Sequence, residues 1–252
     1  MDRRPVIDSN RQVELTTRLG EVRARIARAC EASGRAPTSV TLIIVTKTWP
    51  ASDVRLLAGL GVRDVGENRD QEAAPKAAEC AELNLRWHFI GQLQTNKARS
   101  VARYAHAVHS IDRLALVSAL DKAAAAADRR VGALIQVSLD PAADRWGGAD
   151  AAPEPDRRRG GVAPGEVPGL AAALAASEHL DLRGVMAVAP VQEDAGQAFE
   201  RLAAAAARLR SEHPSATWVS AGMSGDLEAA IRMGATHVRV GSAVLGTRPP
   251  LG

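Results

Sequence analysis

Between Val40 and Val240, short apolar and β-branched runs alternate with longer segments of helical periodicity, and this alternation constrains the fold more than any other feature. The runs are Val40–Thr46, Arg63–Val65, Arg86–Ile90, His106–His109, Gly132–Leu139, Leu182–Val188, Thr217–Val219 and His237–Val240. Helices are expected between them at 52–60, 69–83, 95–103, 112–127, 165–178, 193–212 and 224–233. Strands joined through helices pair in parallel, and parallel strands are covered on both faces. Val40–Thr46 fits that rule, because it is apolar and β-branched without strict alternation. Eight such units in 252 residues predict an α/β chain folded as a single (β/α)8 TIM barrel. A further helix is expected at 10–33, where Leu15, Leu19, Val22, Ile26 and Cys30 recur at three- and four-residue steps. This extra N-terminal helix fills the outer-ring place left vacant where the chain ends. A Rossmann-type sheet would carry G-x-G-x-x-G after the first strand, where this chain has Thr46-Lys47-Thr48-Trp49-Pro50. One domain is expected over residues 1–252, with 1–9 and 141–162 flexible. The second segment is rich in Gly, Pro, Asp and Arg and reads as an insertion after the fifth strand rather than a lid.

Charge and composition remove several function classes. Lys and Arg number 32 against 29 Asp and Glu, a net charge of +3 with no basic stripe, and aromatic residues make up 3% of the chain. That pattern speaks against nucleic acid as a partner. No 18-residue apolar run and no leader pattern occur, so a cytoplasmic protein without membrane contact is expected. Cys30 and Cys80 form no CxxC and are expected as reduced thiols. His88 and His109 lack metal-ligand spacing, and no metal site is expected.

Function in a parallel barrel sits where the strands end. The loops after strands seven and eight commonly build a phosphate site, and here they read Ser220-Ala221-Gly222-Met223-Ser224 and Gly241-Ser242. Glycine admits close approach of an anion, and serine adds donors. Ser224 is also expected to cap the helix at 225–233, which Gly234 ends. The first strand ends in Lys47, and a lysine there can form a Schiff base with a carbonyl. A reactive lysine beside a phosphate site fits pyridoxal phosphate or a sugar phosphate in a Schiff-base aldolase. Arg239 weighs toward the former. Alternation along the eighth strand aims it into the barrel, where a guanidinium can donate to a pyridine nitrogen. Asn68 is a candidate partner for the ring hydroxyl, although Gly66-Glu67-Asn68 also suits an ordinary turn.

These residues, taken in order, resemble a known family. Val45-Thr46-Lys47-Thr48, Gly66-Glu67-Asn68 with Gln71-Glu72, Trp87-His88-Phe89-Ile90-Gly91 with Leu93-Gln94-Thr95-Asn96-Lys97, Gly222-Met223-Ser224-Gly225-Asp226 and Arg239-Val240-Gly241-Ser242 are similar to the pyridoxal-phosphate homeostasis proteins. Those are barrel-only relatives of alanine racemase, and the likeness runs from about residue 10 to 248. It implies a fold type III barrel with pyridoxal 5′-phosphate as a Schiff base on Lys47. It also implies Ser220, Ser224, Gly241 and Ser242 near the phosphate, Arg239 at the pyridine nitrogen, and Asn68 and Met223 lining the pocket. Two departures stand out: Arg159-Gly160-Gly161 where relatives have Lys-Gly, and Gln92 where they often have Pro. The implied role is to hold and supply the cofactor in vitamin B6 homeostasis, with no catalytic residue. Pyridoxal-phosphate-requiring apo-enzymes are expected as partners of a monomer. The alternative is an amino-acid racemase, which needs a second acid/base group opposite the lysine. Related racemases take a tyrosine from an added β domain. None is expected in a chain that ends at Gly252 and whose one tyrosine is Tyr104.

Overall fold

Eight parallel strands close into a barrel in a computed structural model that describes residues 9–140 and 160–247. In chain order the strands are β1 (Thr41–Val45), β2 (Asp64–Glu67), β3 (Arg86–Phe89), β4 (Ala105–Ile111), β5 (Val131–Gln136), β6 (Leu180–Met186), β7 (Trp218–Ser220) and β8 (His237–Val240). Helix α1 (Ser9–Ala32) precedes them. Helices α2 (Ala51–Gly59), α3 (Asp70–Glu79), α4 (Ala98–Tyr104), α5 (Leu114–Ala126), α6 (Val167–Ala175), α7 (Ala195–Glu212) and α8 (Leu227–Arg232) stand between successive strands. The expected (β/α)8 architecture is the observed one, and the barrel closes where Ile43 pairs with Arg239 and Ile44 with Val240.

Strand alternation separates two environments. Val65, Trp87, Val219, Val238 and Val240 point outward into the shell between sheet and helices, which holds the apolar core. Residues of the opposite parity, among them Asp64, His88, His109, Ser220, His237 and Arg239, line the interior and are buried. Lys47 continues the inward parity of Thr41, Ile43 and Val45.

Helix α1 takes the place expected of it. Leu15, Leu19, Val22, Ile26 and Cys30 are all buried, and the helix packs on α2 and α8. Each fully buried aliphatic side chain contributes about 1.5–3 kcal/mol, so this face anchors the helix. Two arginines extend the attachment. Arg25 bridges Glu228 at 2.7 Å and donates to the Ser224 carbonyl, and Arg35 donates to the Ile231 carbonyl.

Three expectations change. The helix expected at 224–233 begins at Leu227, with Asp226 and not Ser224 at its N-cap, because Asp226 Oδ1 accepts the Met223 N–H and keeps 223–226 as a turn. Gly234 does follow that helix, with φ 94°. A short helix, α9 (Ser242–Leu245), follows β8 and packs against α1, a feature absent from the expected pattern. The segment expected at 95–103 opens as a 3-10 turn over Thr95–Lys97 before α4. The expected flexible segments 1–9 and 141–162 fall largely outside the described residues. Where they are described, Ser9 opens α1, and Val162 forms a parallel bridge with Val137.

Candidate functional site

Lys47 is exposed at the C-terminal mouth, two residues beyond the end of β1. The backbone on each side of it is held. The Lys76 ammonium donates to the Thr46 carbonyl at 2.8 Å, and the Thr48 N–H donates to Glu72 Oε2 at 3.0 Å. Thr48 has φ 66°, a left-handed conformation that a β-branched residue adopts only when its surroundings impose it. Strain of this kind concentrates at functional sites, and here it lies next to the lysine.

Under that turn sits a buried polar group. Glu67 Oε1 accepts from Lys76 Nζ at 2.6 Å and from Thr46 Oγ1 at 2.7 Å. Burial pushes the Glu67 carboxyl above its ordinary range, against the pull of Lys76 and Thr46. Sequence reasoning missed Glu67, Lys76 and Glu72 as supports of Lys47. The signal was present in Gly66-Glu67-Asn68 and Gln71-Glu72, but nothing in the sequence says that α3 turns Lys76 inward to meet them.

Arg239 lies on β8, the strand next to the one that leads to Lys47. It is 4% exposed, and burial lowers its pKa to about 10. Its Nη1 donates to Ser220 Oγ and its Nη2 to the Ala187 carbonyl, both at 2.8 Å. Two of the five N–H donors of a guanidinium are thus used, and no carboxylate bridges it among the described residues. Asn68 is half-buried at the end of β2, and its Oδ1 is buried without a hydrogen-bond partner. Unsatisfied buried polar atoms are rare and point to a missing partner.

The loops after β7 and β8 meet. Ser224 Oγ accepts from Ser242 Oγ and from the Ala243 N–H, each at 3.4 Å, so two hydroxyls and a backbone donor converge next to Gly241. Gly222 has φ 90°, and a Cβ there would lie 2.7 Å from the Ala230 Cβ, so only glycine fits this turn. Met223 is 39% exposed at the same mouth. Ser220 stands apart from the other serines. It is fully buried, and its hydroxyl is engaged by Arg239 and by His109 Nδ1 at 2.9 Å.

The arrangement offers an amine for a carbonyl, a buried guanidinium for an acceptor nitrogen and a Gly/Ser cradle for an anion. These three features suit one ligand that carries an aldehyde, a ring nitrogen and a phosphate. The chain's one tyrosine, Tyr104, ends α4 in the outer ring, where its hydroxyl reaches Asp70 at 3.4 Å. Among the described residues, no cluster of three or more His, Cys, Asp or Glu could hold a metal ion, and no helix is long and apolar enough to cross a membrane.

Known proteins resemble this chain over most of its length. The family model of the alanine racemase N-terminal domain matches residues 18–249. A pyridoxal phosphate homeostasis protein of Mycobacterium leprae is 42% identical over 258 residues, covering 95% of each chain. A protein of the same name from Escherichia coli K12 is 36% identical over 241 residues, covering 93% of this chain and 97% of that one. Among solved structures, PipY of Synechococcus elongatus, crystallised with pyridoxal phosphate bound, is 33% identical with a TM-score of 0.74, covering 92% of this chain and all of the other. Alanine racemase from Corynebacterium glutamicum shares the fold alone, with a TM-score of 0.65 at 15% identity over 96% of this chain and 62% of that one.

Proposed function

The chain belongs to the alanine racemase N-terminal domain family, among the pyridoxal phosphate homeostasis proteins, and from that membership we propose that it carries pyridoxal 5′-phosphate covalently on the Lys47 amine and serves as a cytoplasmic reservoir of the cofactor. The observation that carries this reading is Arg239: a buried guanidinium, unbridged by carboxylate, on the strand beside the one that leads to Lys47. When bound, pyridoxal phosphate supplies an aldehyde for amines and a ring that can take up negative charge. Lys47 is the amine that meets the aldehyde. Arg239 offers a hydrogen bond to the ring nitrogen and, by remaining protonated, keeps that nitrogen unprotonated, which weakens the ring as an electron sink. Asn68 Oδ1 gains the partner it lacks from the ring hydroxyl, and Met223 covers the pocket edge. Ser224, Gly241, Ser242 and the Ala243 N–H take the phosphate, while Ser220 serves from below, through Arg239.

The place of the chain's one tyrosine supports carriage rather than turnover. Racemisation needs a second acid/base group on the opposite face, and the one tyrosine of this chain is committed to the outer ring. The proposed role is binding and release, as a monomer, to apo-enzymes that require the cofactor. Absorbance tests it. After incubation with pyridoxal phosphate and removal of the unbound cofactor, the wild type should remain yellow, Lys47→Ala protein should not, and the wild type should racemise alanine no faster than free pyridoxal phosphate. A colourless wild type would refute the carrier. Rapid racemisation abolished by Lys47→Ala would replace it with an enzyme.

A further inference from the structure

TIM-barrel interiors are ordinarily filled by branched aliphatic side chains. The middle of this one instead holds a continuous row of polar groups. From the Lys47 mouth, Arg239 Nη1 donates to Ser220 Oγ at 2.8 Å. Ser220 Oγ lies 2.9 Å from His109 Nδ1, His109 Nε2 lies 2.9 Å from His88 Nδ1, and His88 Nε2 lies 2.9 Å from Asp64 Oδ1. Asp64 Oδ2 then accepts from Arg86 at 2.6 Å. Ser220 and His109 are fully buried, and His88, Arg239 and Asp64 nearly so. The row ends at a cavity of about 290 Å³ at the opposite mouth, lined by Asp64, Arg86, His106, Trp218 and His237 among others.

Such a row must run in one direction, because a neutral imidazole has one donor and one acceptor. Burial in the barrel interior keeps His109 neutral. Asp64 is the fixed end. Burial works against its charge, but hydrogen bonds from His88 and Arg86 outweigh it and hold the carboxyl below its ordinary range. An ionised carboxylate only accepts, so His88 Nε2 donates to it. The groups around His88 are Asp64, Arg86, His106, His109, Trp218 and His237, and the one negative charge among them is already met by Arg86. A single proton on His88, donated through Nε2, leaves its Nδ1 to accept from His109 Nε2. His109 Nδ1 then accepts the Ser220 hydroxyl proton, and a Ser220 lone pair is left facing Arg239.

We propose that Asp64, His88 and His109 are positioning residues for Arg239, forming a one-way hydrogen-bond relay that is anchored at Asp64 and fixes the guanidinium facing the ring nitrogen of the ligand. The relay rests on the reading of Arg239 given above. It also assigns Ser220 its part: with its proton turned to His109, the hydroxyl orients Arg239 and does not donate to the phosphate.

Nitrogen-15 NMR of histidine-labelled protein, without added pyridoxal phosphate, reads the direction of the relay. The wild type should show His88 and His109 both as Nε2–H tautomers. Asp64→Asn can present an N–H to His88 and reverse the row, so His109 should move to the Nδ1–H form. Affinity for pyridoxal phosphate should then weaken about tenfold, the loss expected for one ordinary hydrogen bond. Asp64→Glu should restore both. If Asp64→Asn does not fold, Ser220→Ala cuts the relay at its other end and should weaken binding by a similar factor while leaving His88 in its Nε2–H form. A wild-type His109 in the Nδ1–H form overturns the relay. Unchanged tautomers in Asp64→Asn, or reversed tautomers with wild-type affinity, do so as well. A wild type that fails to bind pyridoxal phosphate would count against the proposed function alone, because the tautomers are read without ligand.

Discussion

Lys47 presents its amine from a backbone that its neighbours hold in place: Lys76 grips the carbonyl before it and Glu72 the N–H after it. The proposed phosphate side depends on a single glycine to the same degree. Gly222→Ala forces a Cβ to within 2.7 Å of Ala230 in a left-handed turn. It should destabilise the protein by about 1–3 kcal/mol, as strained positions do. The measurement is the midpoint of denaturant unfolding, and weaker pyridoxal phosphate binding should accompany the shift. At this scale the sequence was most legible where alternation decides direction. Arg239 was placed by parity along its strand, and it lies buried in the interior as that parity requires. Ser224 was read as a helix cap because serine favours that role. The side chain of Asp226 decides otherwise by keeping 223–226 as a turn, which composition does not reveal.

Among the elements, α3 does more than cover the barrel. It turns Lys76 inward to meet Glu67, and the pair locks the ends of β1 and β2 together. Removing one partner of a buried pair strands the other charge. Lys76→Met should therefore cost about 3–5 kcal/mol. The double variant Glu67→Gln/Lys76→Met should recover part of that loss, as measured by thermal or denaturant unfolding. A double variant no more stable than Lys76→Met would show that the buried charge is not the cause. Elements of strong periodicity were legible, α1 above all, since five buried residues on one face leave little choice. The four-residue α9 was not, because so short a helix has no period to read. The histidine row was invisible for a different reason. His88 and His109 lie on the paired strands β3 and β4, but His109 and Ser220 lie on β4 and β7, which only barrel closure brings together.

The whole molecule inherits an acid sensitivity from its polar interior. Burial lowers His237 to about 3 and His106 to about 4. In the unfolded chain both protonate near 6.5. Below that value the unfolded state binds protons that the folded state excludes, so stability falls as pH drops from 6.5 toward 3. A histidine as buried as His237 costs about 1.4 kcal/mol per pH unit across that window. Asp64, whose carboxyl is lowered from 3.8, holds its contribution above that value and loses it as pH falls further. Unfolding free energy should be level between about pH 7 and 8 and decline steadily below about 6.5, and His237→Gln should make the decline shallower. A curve that stays flat to pH 4 would contradict this picture of the interior. Lys47 alone is proposed to carry the cofactor. The most direct measurement of this is borohydride reduction of the protein mixed with pyridoxal phosphate, followed by peptide mass mapping. A single reduced pyridoxyl phosphate adduct is expected, on the peptide that contains Lys47. An adduct on another lysine with Lys47 unmodified, or none at all, would contradict it.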